Sequence, residues 1–321
     1  MLFDIIMLIL GLTFLIFGGD SLVNGAKRIG LRLGVSSLVI GLTVVAFGTS
    51  APELLISIQS ALKGSPDIAM GNVVGSNICN LGLVLGCAAL VAPMPVHRDN
   101  IRINWPVTCG ASILLIVLGN DGLIDLWEGL LFIVLLATYL FFTLRYSSQP
   151  LEDLEIDDSE IKEVSEQENF GIMKGLSKDM TYILLGGLGL YFGSEWFVES
   201  ARAIATHLGV SERVIGITLV ALGTSLPELV TSLIAAVRRD TDLALGGLLG
   251  SNIFNIFSIL GITSLIHEIH VDPEIIRSDF YWMLGITVLV FPMMFYRYRI
   301  FRGRGTVLLL FYTVYTYLVV M

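Results

Sequence analysis

The chain has 321 residues, of which 55% are apolar and only 15% are charged, and its mean hydropathy is +0.81. A soluble domain of this length would carry about a quarter charged residues, so the composition excludes an ordinary soluble protein. The formal charge of −9 is mostly local, because residues 151–168 contain nine acids and one lysine. That segment accounts for eight of the nine net negative charges, and the rest of the chain is nearly neutral.

Long apolar runs predict membrane-spanning helices, since about 20 helical residues cross the hydrocarbon core of a bilayer. The first run has no basic segment before it and no small-residue cleavage site leading into a soluble domain, so it is predicted to be a span rather than a signal peptide. The ten predicted spans cover residues 2–23, 35–62, 68–92, 103–119, 123–145, 180–203, 210–237, 242–266, 279–296 and 305–321. The predicted fold class is an all-α polytopic membrane protein with ten transmembrane helices.

The distribution of Lys and Arg predicts the orientation of these spans. Fifteen of the 19 basic residues fall on one predicted side, and the other side holds Lys63, Arg202, Arg213 and Arg277. Because cytoplasmic loops are enriched in Lys and Arg, we expect both termini to face outward. The acidic loop after the fifth span is expected to be cytoplasmic and flexible. The predicted location is the inner or plasma membrane.

An internal repeat divides the chain. Residues 34–59 align without gaps to 209–234 with 16 of 26 identical, and residues 67–86 align to 242–261 with 10 of 20 identical. Both alignments have an offset of 175 residues. Each half contains five spans, an odd number, so the second half must cross the membrane in the opposite sense. Inverted repeats of this kind are typical of secondary transporters, whose binding sites lie at the repeat interface.

The predicted organisation follows from this duplication. The first five-helix repeat covers residues 1–145, with its α-repeat motif at 34–86; the acidic cytoplasmic loop covers 146–179; and the second, inverted repeat covers 180–321, with its motif at 209–261.

Two glutamates lie deep inside predicted spans: Glu53 in GTSAPE and Glu228 in GTSLPE. Each precedes a basic residue, Lys63 or Arg238, by ten positions, which corresponds to roughly 15 Å of helix. Those basic residues lie on opposite faces of a core about 30 Å thick, so both acids are predicted near the midplane. A carboxyl group there costs about 3 kcal/mol and is a candidate functional residue by default.

Backbone and side-chain oxygens accompany these acids. Pro52 and Pro227 cannot donate to the carbonyls four residues back, and this predicts broken helices with free carbonyls near the glutamates. A second repeated element, GSN-I-x-N, places Ser76 with Asn80 in one half and Ser251 with Asn255 in the other, four residues apart on one helix face. The motifs therefore supply only oxygen donors, which hard cations such as Ca²⁺ and Na⁺ prefer. GxxxG spacing in the same helices predicts close packing by glycine.

The paired GTSxPE and GSNIxN motifs resemble the two α-repeats of the cation/calcium exchanger superfamily, and the chain resembles its compact prokaryotic sodium/calcium exchangers. The resemblance implies calcium extrusion driven by sodium entry, by alternating access. It implies that Glu53 and Glu228 bind Ca²⁺ with the carbonyls of Thr49 and Thr224. The implied sodium ligands are Ser50, Ser76, Ser225 and Ser251 with the carbonyls of Ala46 and Ala221, and Asn80 and Asn255 are implied as lesser ligands.

One position departs from the family pattern, because members often have Asp where this chain has Asn255. The predicted site therefore contains two carboxylates rather than three, and a potassium-coupled cycle is disfavoured. A Ca²⁺/H⁺ antiporter in the same scaffold remains an alternative, as do a passive cation channel and a non-transporting membrane sensor.

The remaining expectations concern cofactors and partners. No nucleotide-binding loop, catalytic triad or thiol pair is present in the sequence, so we expect a transporter rather than an enzyme, without an organic cofactor. The expected partners are membrane lipid and the transported calcium and sodium ions, with no nucleic acid. The protein is expected to be a monomer.

Overall fold

The computed structural model describes residues 1–146, 172–208 and 221–320, and these residues are almost entirely helical. The helices are α1 (Leu2–Leu33), α2 (Ser37–Leu62), α3 (Asp67–Val91), α4 (Asn100–Asp121), α5 (Leu126–Tyr146), α6 (Ile172–His207), α7 (Ala221–Thr224), α8 (Leu226–Val237), α9 (Thr241–Ile266), α10 (Ile275–Tyr298) and α11 (Arg302–Val320). The strands are β1 (Met94–Pro95), β2 (Leu123–Ile124), β3 (Ile269–His270) and β4 (Arg299–Ile300).

Among the described residues, seven helices are long and apolar enough to cross a membrane, namely α1 to α5, α9 and α10. The prediction of a multi-pass membrane protein is therefore confirmed. The other predicted spans coincide with α6, with α7 and α8, and with α11. The count of ten stays a prediction, because residues 210–220 of the seventh predicted span lie outside the described residues.

Helix α1 packs along α6 through glycines at which the two backbones touch. A Cβ at Gly18 would lie 2.7 Å from the backbone nitrogen of Leu190, and one at Gly186 would lie 2.6 Å from that of Leu22. Real side chains do not approach backbone atoms so closely, so only glycine permits this separation. The two helices thus form one tightly packed pair that joins the two halves of the chain.

The first predicted span ends too early, because α1 continues from residue 23 to Leu33. One basic residue of this extension forms an ion pair within the helix pair: the Arg32 guanidinium donates to the Asp179 carboxylate at 2.5 Å, and both side chains are buried. Helix α6 correspondingly begins at Ile172, eight residues before the predicted span. Residues 172–179 are therefore helical although the sequence predicts a loop over 146–179, and the acidic stretch 151–168 lies outside the described residues.

Two short antiparallel ladders tie the ends of helices together. Strand β1 pairs with β4, and β2 pairs with β3. Each ladder joins a segment between helices of the first half to a segment between helices of the second half. The predicted topology places the two segments of each ladder on the same side of the membrane.

The repeated motif helices pack at the centre of the molecule. A Cβ at Gly246 would lie 2.7 Å from the Leu38 carbonyl oxygen, and one at Gly250 would lie 2.7 Å from that of Leu42, so α2 and α9 touch through their backbones. The predicted glycine packing is confirmed for α9. At the equivalent Gly71 and Gly75, no described atom lies within 4 Å of the Cβ position. The segment equivalent to the α2 contact lies largely in residues 209–220, which are outside the description.

Candidate functional site

The two motif glutamates lie on α2 and α8 and are buried. Glu53 is 0% exposed and Glu228 is 2% exposed. The two carboxyl groups are close enough to interact electrostatically, although 175 residues separate them along the chain. The structure thus places the two motif acids buried and near each other, and their role as one ion-binding site stays a prediction.

The predicted backbone break occurs in only one of the two motifs. Helices α7 and α8 are interrupted at Ser225 (φ −90°, ψ 7°), two residues before Pro227. The Gly223 carbonyl, which Pro227 cannot reach with a hydrogen bond, accepts instead from the Ser194 hydroxyl at 2.6 Å. Helix α2 by contrast continues through Pro52, so the predicted break in the first motif is wrong. A wider π-helical turn at Gly41–Val45 precedes this proline.

Hydroxyl contacts join the two halves around the acids. The Ser50 hydroxyl donates to Glu228 Oε1 at 3.4 Å. The Thr49 and Ser251 hydroxyls are 3.2 Å apart, and those of Ser76 and Thr224 are 3.5 Å apart. Because each contact connects residues of opposite halves, the predicted hydroxyl ligands converge on the same region as the glutamates.

A reciprocal amide network crosses between α3 and α9. Asn77 Nδ2 donates to the Asn252 carbonyl, and Asn252 Nδ2 donates to the Asn77 carbonyl, both at 3.3 Å. Asn80 Nδ2 donates to Asn252 Oδ1, and Asn255 Nδ2 donates to Asn77 Oδ1, both at 3.1 Å. A π-helical segment begins at Asn80 and another at Asn255, a local geometry frequent at functional sites.

Buried oxygen atoms without a hydrogen-bond partner among the described residues concentrate on the motifs. Six of the eight such oxygens belong to the motifs: both carboxylate oxygens of Glu53, Oε2 of Glu228, Oδ1 of Asn80, Oδ1 of Asn255 and the hydroxyl of Ser225. The other two are Oδ1 of Asp179 and the hydroxyl of Thr263. An unsatisfied buried polar group costs about 1–3 kcal/mol, so a cluster of such groups needs a compensating ligand. Carboxylate, amide and hydroxyl oxygens are the donors that Ca²⁺ and Na⁺ prefer, so the residues present fit a hard cation.

Some predicted ligands have other contacts or fall outside the description. The Ala46 carbonyl accepts from the Thr49 hydroxyl at 3.3 Å, and Thr224 is only half-buried. Helix α7 begins at Ala221, whose side chain is outside the described set. Sequence reasoning assigned no role to Asn77 or Asn252; the available signal was their identity in both repeats.

A small cavity adjoins the acidic site on one side. Its volume is about 10 Å³, about the space of one water molecule or one dehydrated cation. The polar residues that line it are Thr49, Glu228, Thr231, Ser232 and Ser251. The cavity therefore extends from Glu228 along α8, in the direction of Arg238.

The helical membrane fold and the inter-repeat cluster of oxygen donors define this protein as a member of an ion-exchanger class. Its residues 3–145 and 178–321 match the family described as sodium/calcium exchanger protein. It is 34% identical to the sodium/calcium exchanger MaX1 of Methanosarcina acetivorans, covering 97% of each chain, and 35% identical to the putative antiporter CaxA of Alkalimonas amylolytica, covering 99% of each. The chain belongs to the sodium/calcium exchanger family.

A solved structure supports the same assignment at the level of fold. The sodium-calcium exchanger NCX_Mj, in crystals soaked with zero Na⁺ and Ca²⁺, superimposes with a TM-score of 0.82 at 32% identity, over 97% of both chains. The resemblance stated from the motifs is thereby confirmed over nearly the whole chain.

Proposed function

We propose that this protein is a secondary antiporter that exchanges Na⁺ for Ca²⁺ by alternating access. The observation that carries the proposal is the cluster of unpartnered, buried oxygens around Glu53 and Glu228, to which both halves of the chain contribute. Two carboxylates balance the charge of one Ca²⁺, and the surrounding neutral oxygens can replace its hydration shell. The names of the relatives, which include a sodium/calcium exchanger, agree with this assignment.

The proposed ion ligands are those expected from the motifs. Glu53 and Glu228 hold Ca²⁺ with the carbonyls of Thr49 and Thr224. Sodium uses the same carboxylates together with the hydroxyls of Ser50, Ser76, Ser225 and Ser251 and the carbonyls of Ala46 and Ala221. The amide oxygens of Asn80 and Asn255 are lesser ligands of either ion. Competition for the shared carboxylates makes the binding of the two ions mutually exclusive, as antiport requires.

The proposed topology comprises ten transmembrane helices in two inverted five-helix repeats, residues 1–145 and 180–321, joined by the acidic segment. We place both termini outside and the acidic segment in the cytoplasm, because 15 of the 19 basic residues then lie inside. Both ladders, β1 with β4 and β2 with β3, support this topology, since each pairs connections that it assigns to one side.

The direct test is uptake of ⁴⁵Ca²⁺ by proteoliposomes containing the purified protein. Vesicles loaded with Na⁺ and diluted into Na⁺-free buffer should accumulate Ca²⁺, whereas vesicles with equal Na⁺ on both sides should not. Uptake that is indifferent to the sodium gradient would remove Na⁺ as the counter-ion.

Imposed pH gradients separate the main alternative, Ca²⁺/H⁺ antiport. The proposal predicts that a pH gradient without a Na⁺ gradient drives little Ca²⁺ uptake. The reason is that the four motif hydroxyls suit a sodium ion, whereas proton transport by the two carboxyl groups does not require them. Single-channel currents in a planar bilayer would instead indicate a passive channel. The absence of any Ca²⁺ flux from folded protein would indicate a non-transporting membrane protein.

A further inference from the structure

The amide network between α3 and α9 contains two asparagines, Asn77 and Asn252, that belong to the repeated motifs but are not among the proposed ion ligands. Both are buried, at 1% exposure. They differ from Asn80 and Asn255, because both the NH₂ group and the side-chain oxygen of each have a partner within the network. Asn80 and Asn255, one helical turn further along each chain segment, each keep one unpartnered oxygen.

The backbone determines which way Asn77 and Asn252 are oriented. A carbonyl oxygen can only accept a hydrogen bond, so the amide group that contacts the Asn252 carbonyl must be the NH₂ group of Asn77. The same reasoning applies to Asn252 and the Asn77 carbonyl. In each residue the side-chain oxygen is therefore turned away from the opposite backbone and toward the next asparagine.

The orientation of Asn77 and Asn252 determines the orientation of the candidate ligands Asn255 and Asn80. Asn77 Oδ1 can only accept, so Asn255 must present its NH₂ group to it, at 3.1 Å. Likewise Asn252 Oδ1 requires the NH₂ group of Asn80. The opposite end of each amide is then an oxygen, and these are the two Oδ1 atoms left without partners. A flipped amide would place an NH₂ group there, which cannot bind a cation.

We propose that Asn77 and Asn252 are positioning residues that lock the amides of Asn255 and Asn80 with their oxygens toward the transported ions. The inference rests on the proposed cation-binding function. This positioning role explains how the chain can use asparagine at position 255, where members of the family often have aspartate. An aspartate has two equivalent oxygens and needs no partner to choose its orientation, whereas an asparagine does.

The test is a double-mutant cycle that uses this difference. The four proteins are the wild type, Asn77→Ala, Asn255→Asp and the double variant, purified in detergent. The readout is the dissociation constant for ⁴⁵Ca²⁺ by equilibrium binding, which requires no transport. Asn77→Ala should weaken Ca²⁺ binding about tenfold, as loss of an orienting partner to a metal ligand typically does. In the Asn255→Asp background the same change should not weaken binding, because the orientation no longer matters and the carboxylate offers Asn77 Oδ1 no donor.

The symmetry of the network supplies a second, independent cycle. Asn252→Ala should weaken Ca²⁺ binding in the wild type but should not weaken it in the Asn80→Asp background, for the same reason. In proteoliposomes, both single alanine variants should raise the KM for Ca²⁺ more than they lower the maximal rate. Equal losses with and without the aspartate in both cycles would overturn the proposal, as would unchanged affinity in both single variants.

A buried asparagine away from the site provides the control for structural damage. Asn104 in α4 is 3% exposed and donates to Asn100 Oδ1 at 2.9 Å. Asn104→Ala should lower thermal stability without changing Ca²⁺ affinity, and a tenfold weaker affinity there would count against a specific role for Asn77. If both Asn77→Ala and Asn252→Ala fail to fold, the residues are structural and the proposal is wrong. If the wild type binds no Ca²⁺, the proposed function fails instead.

Discussion

The two copies of the glutamate motif have similar sequences but different local structures. Helix α2 runs through Pro52 without a break, whereas α7 and α8 are separated at Ser225. One cause lies on the neighbouring helices. The Gly223 carbonyl accepts from Ser194, but the position equivalent to Ser194 in the first half is Gly19, which has no hydroxyl group to donate. The second motif can therefore open its helix because its free carbonyl has a partner.

A second difference lies at one position of α3 and α9. Asn72 Nδ2 lies 3.4 Å from both the Glu53 carbonyl and the Ser57 hydroxyl, so its side chain fills the space beside the first motif. The equivalent residue is Gly247, and the small cavity next to Glu228 and Ser232 lies there. The comparison teaches that a nearly symmetric pair of motifs has asymmetric surroundings, with space beside one glutamate and a side chain beside the other.

The largest expected effect concerns what the two motifs share. Either Glu53→Gln or Glu228→Gln should lower sodium-driven ⁴⁵Ca²⁺ uptake at least about 100-fold, because removing one partner of a buried charge interaction costs about 3–5 kcal/mol. Glu268→Gln, in an exposed connection, is the control and should leave uptake unchanged. If one glutamine variant kept most of the wild-type rate, the two glutamates would not form one shared site.

The close backbone contact at Gly250 predicts a loss of stability when a side chain is added there. A Cβ at Gly250 would lie 2.7 Å from the Leu42 carbonyl oxygen and 2.8 Å from Ala46 Cβ, so Gly250→Ala must push α9 away from α2. We expect the free energy of unfolding to fall by about 1–3 kcal/mol, as for other overpacked sites. Thermal unfolding in detergent measures this change. Gly110→Ala is the control, because Gly110 is exposed in α4 and no described atom of another segment lies within 4 Å of its Cβ position; it should cost less than about 0.5 kcal/mol. An equal loss there would mean that the close contact at Gly250 is not the cause.

Placing at Gly247 the asparagine found at the equivalent position, Asn72, tests whether the cavity beside Glu228 is needed for transport. Gly247→Asn should fold, because its Cβ would lie 3.5 Å from Val45 Cγ1, an ordinary contact. The new amide should fill the cavity beside Ser232 and slow Ca²⁺ uptake about tenfold, or about 1.4 kcal/mol of barrier. Stopped-flow uptake with a calcium-sensitive dye inside the vesicles would measure the rate. Gly247→Ala, which leaves most of the cavity open, is the matched control, and equal slowing in both variants would exclude the cavity as the cause.

The smallest effect is expected at the surface. Arg238 forms an ion pair with Asp20 of α1, and the two side chains are 36% and 43% exposed. A partly exposed pair of this kind contributes about 0–1 kcal/mol, so Arg238→Gln should lower the unfolding temperature by only a few degrees. The difference should shrink at high ionic strength, since salt screens exposed charges. A loss that is independent of salt would indicate a packing role for the arginine.

Several sequence predictions depended only on local properties and proved reliable. Apolar run length identified the membrane helices, and the offset of 175 residues identified the paired motifs before any contact was known. The burial of Glu53 and Glu228 followed from their depth within apolar runs. The errors arose where a distant partner changes the outcome. Helix α1 extends to Leu33 and its Arg32 pairs with Asp179 of α6, and α2 passes through Pro52 despite the missing hydrogen bond.

The amino-acid sequence by itself determined the class of fold, the duplication and the chemical type of the ligands, because hydropathy, identity and side-chain chemistry are properties of each residue and its near neighbours. Only the tertiary structure decided which groups meet. The pairing of Asn77 with Asn252, the direction of each amide oxygen and the space beside Gly247 depend on the separation of helices that are distant in the chain. A hydrogen bond requires its two atoms within about 3 Å, and no local sequence pattern specifies that distance.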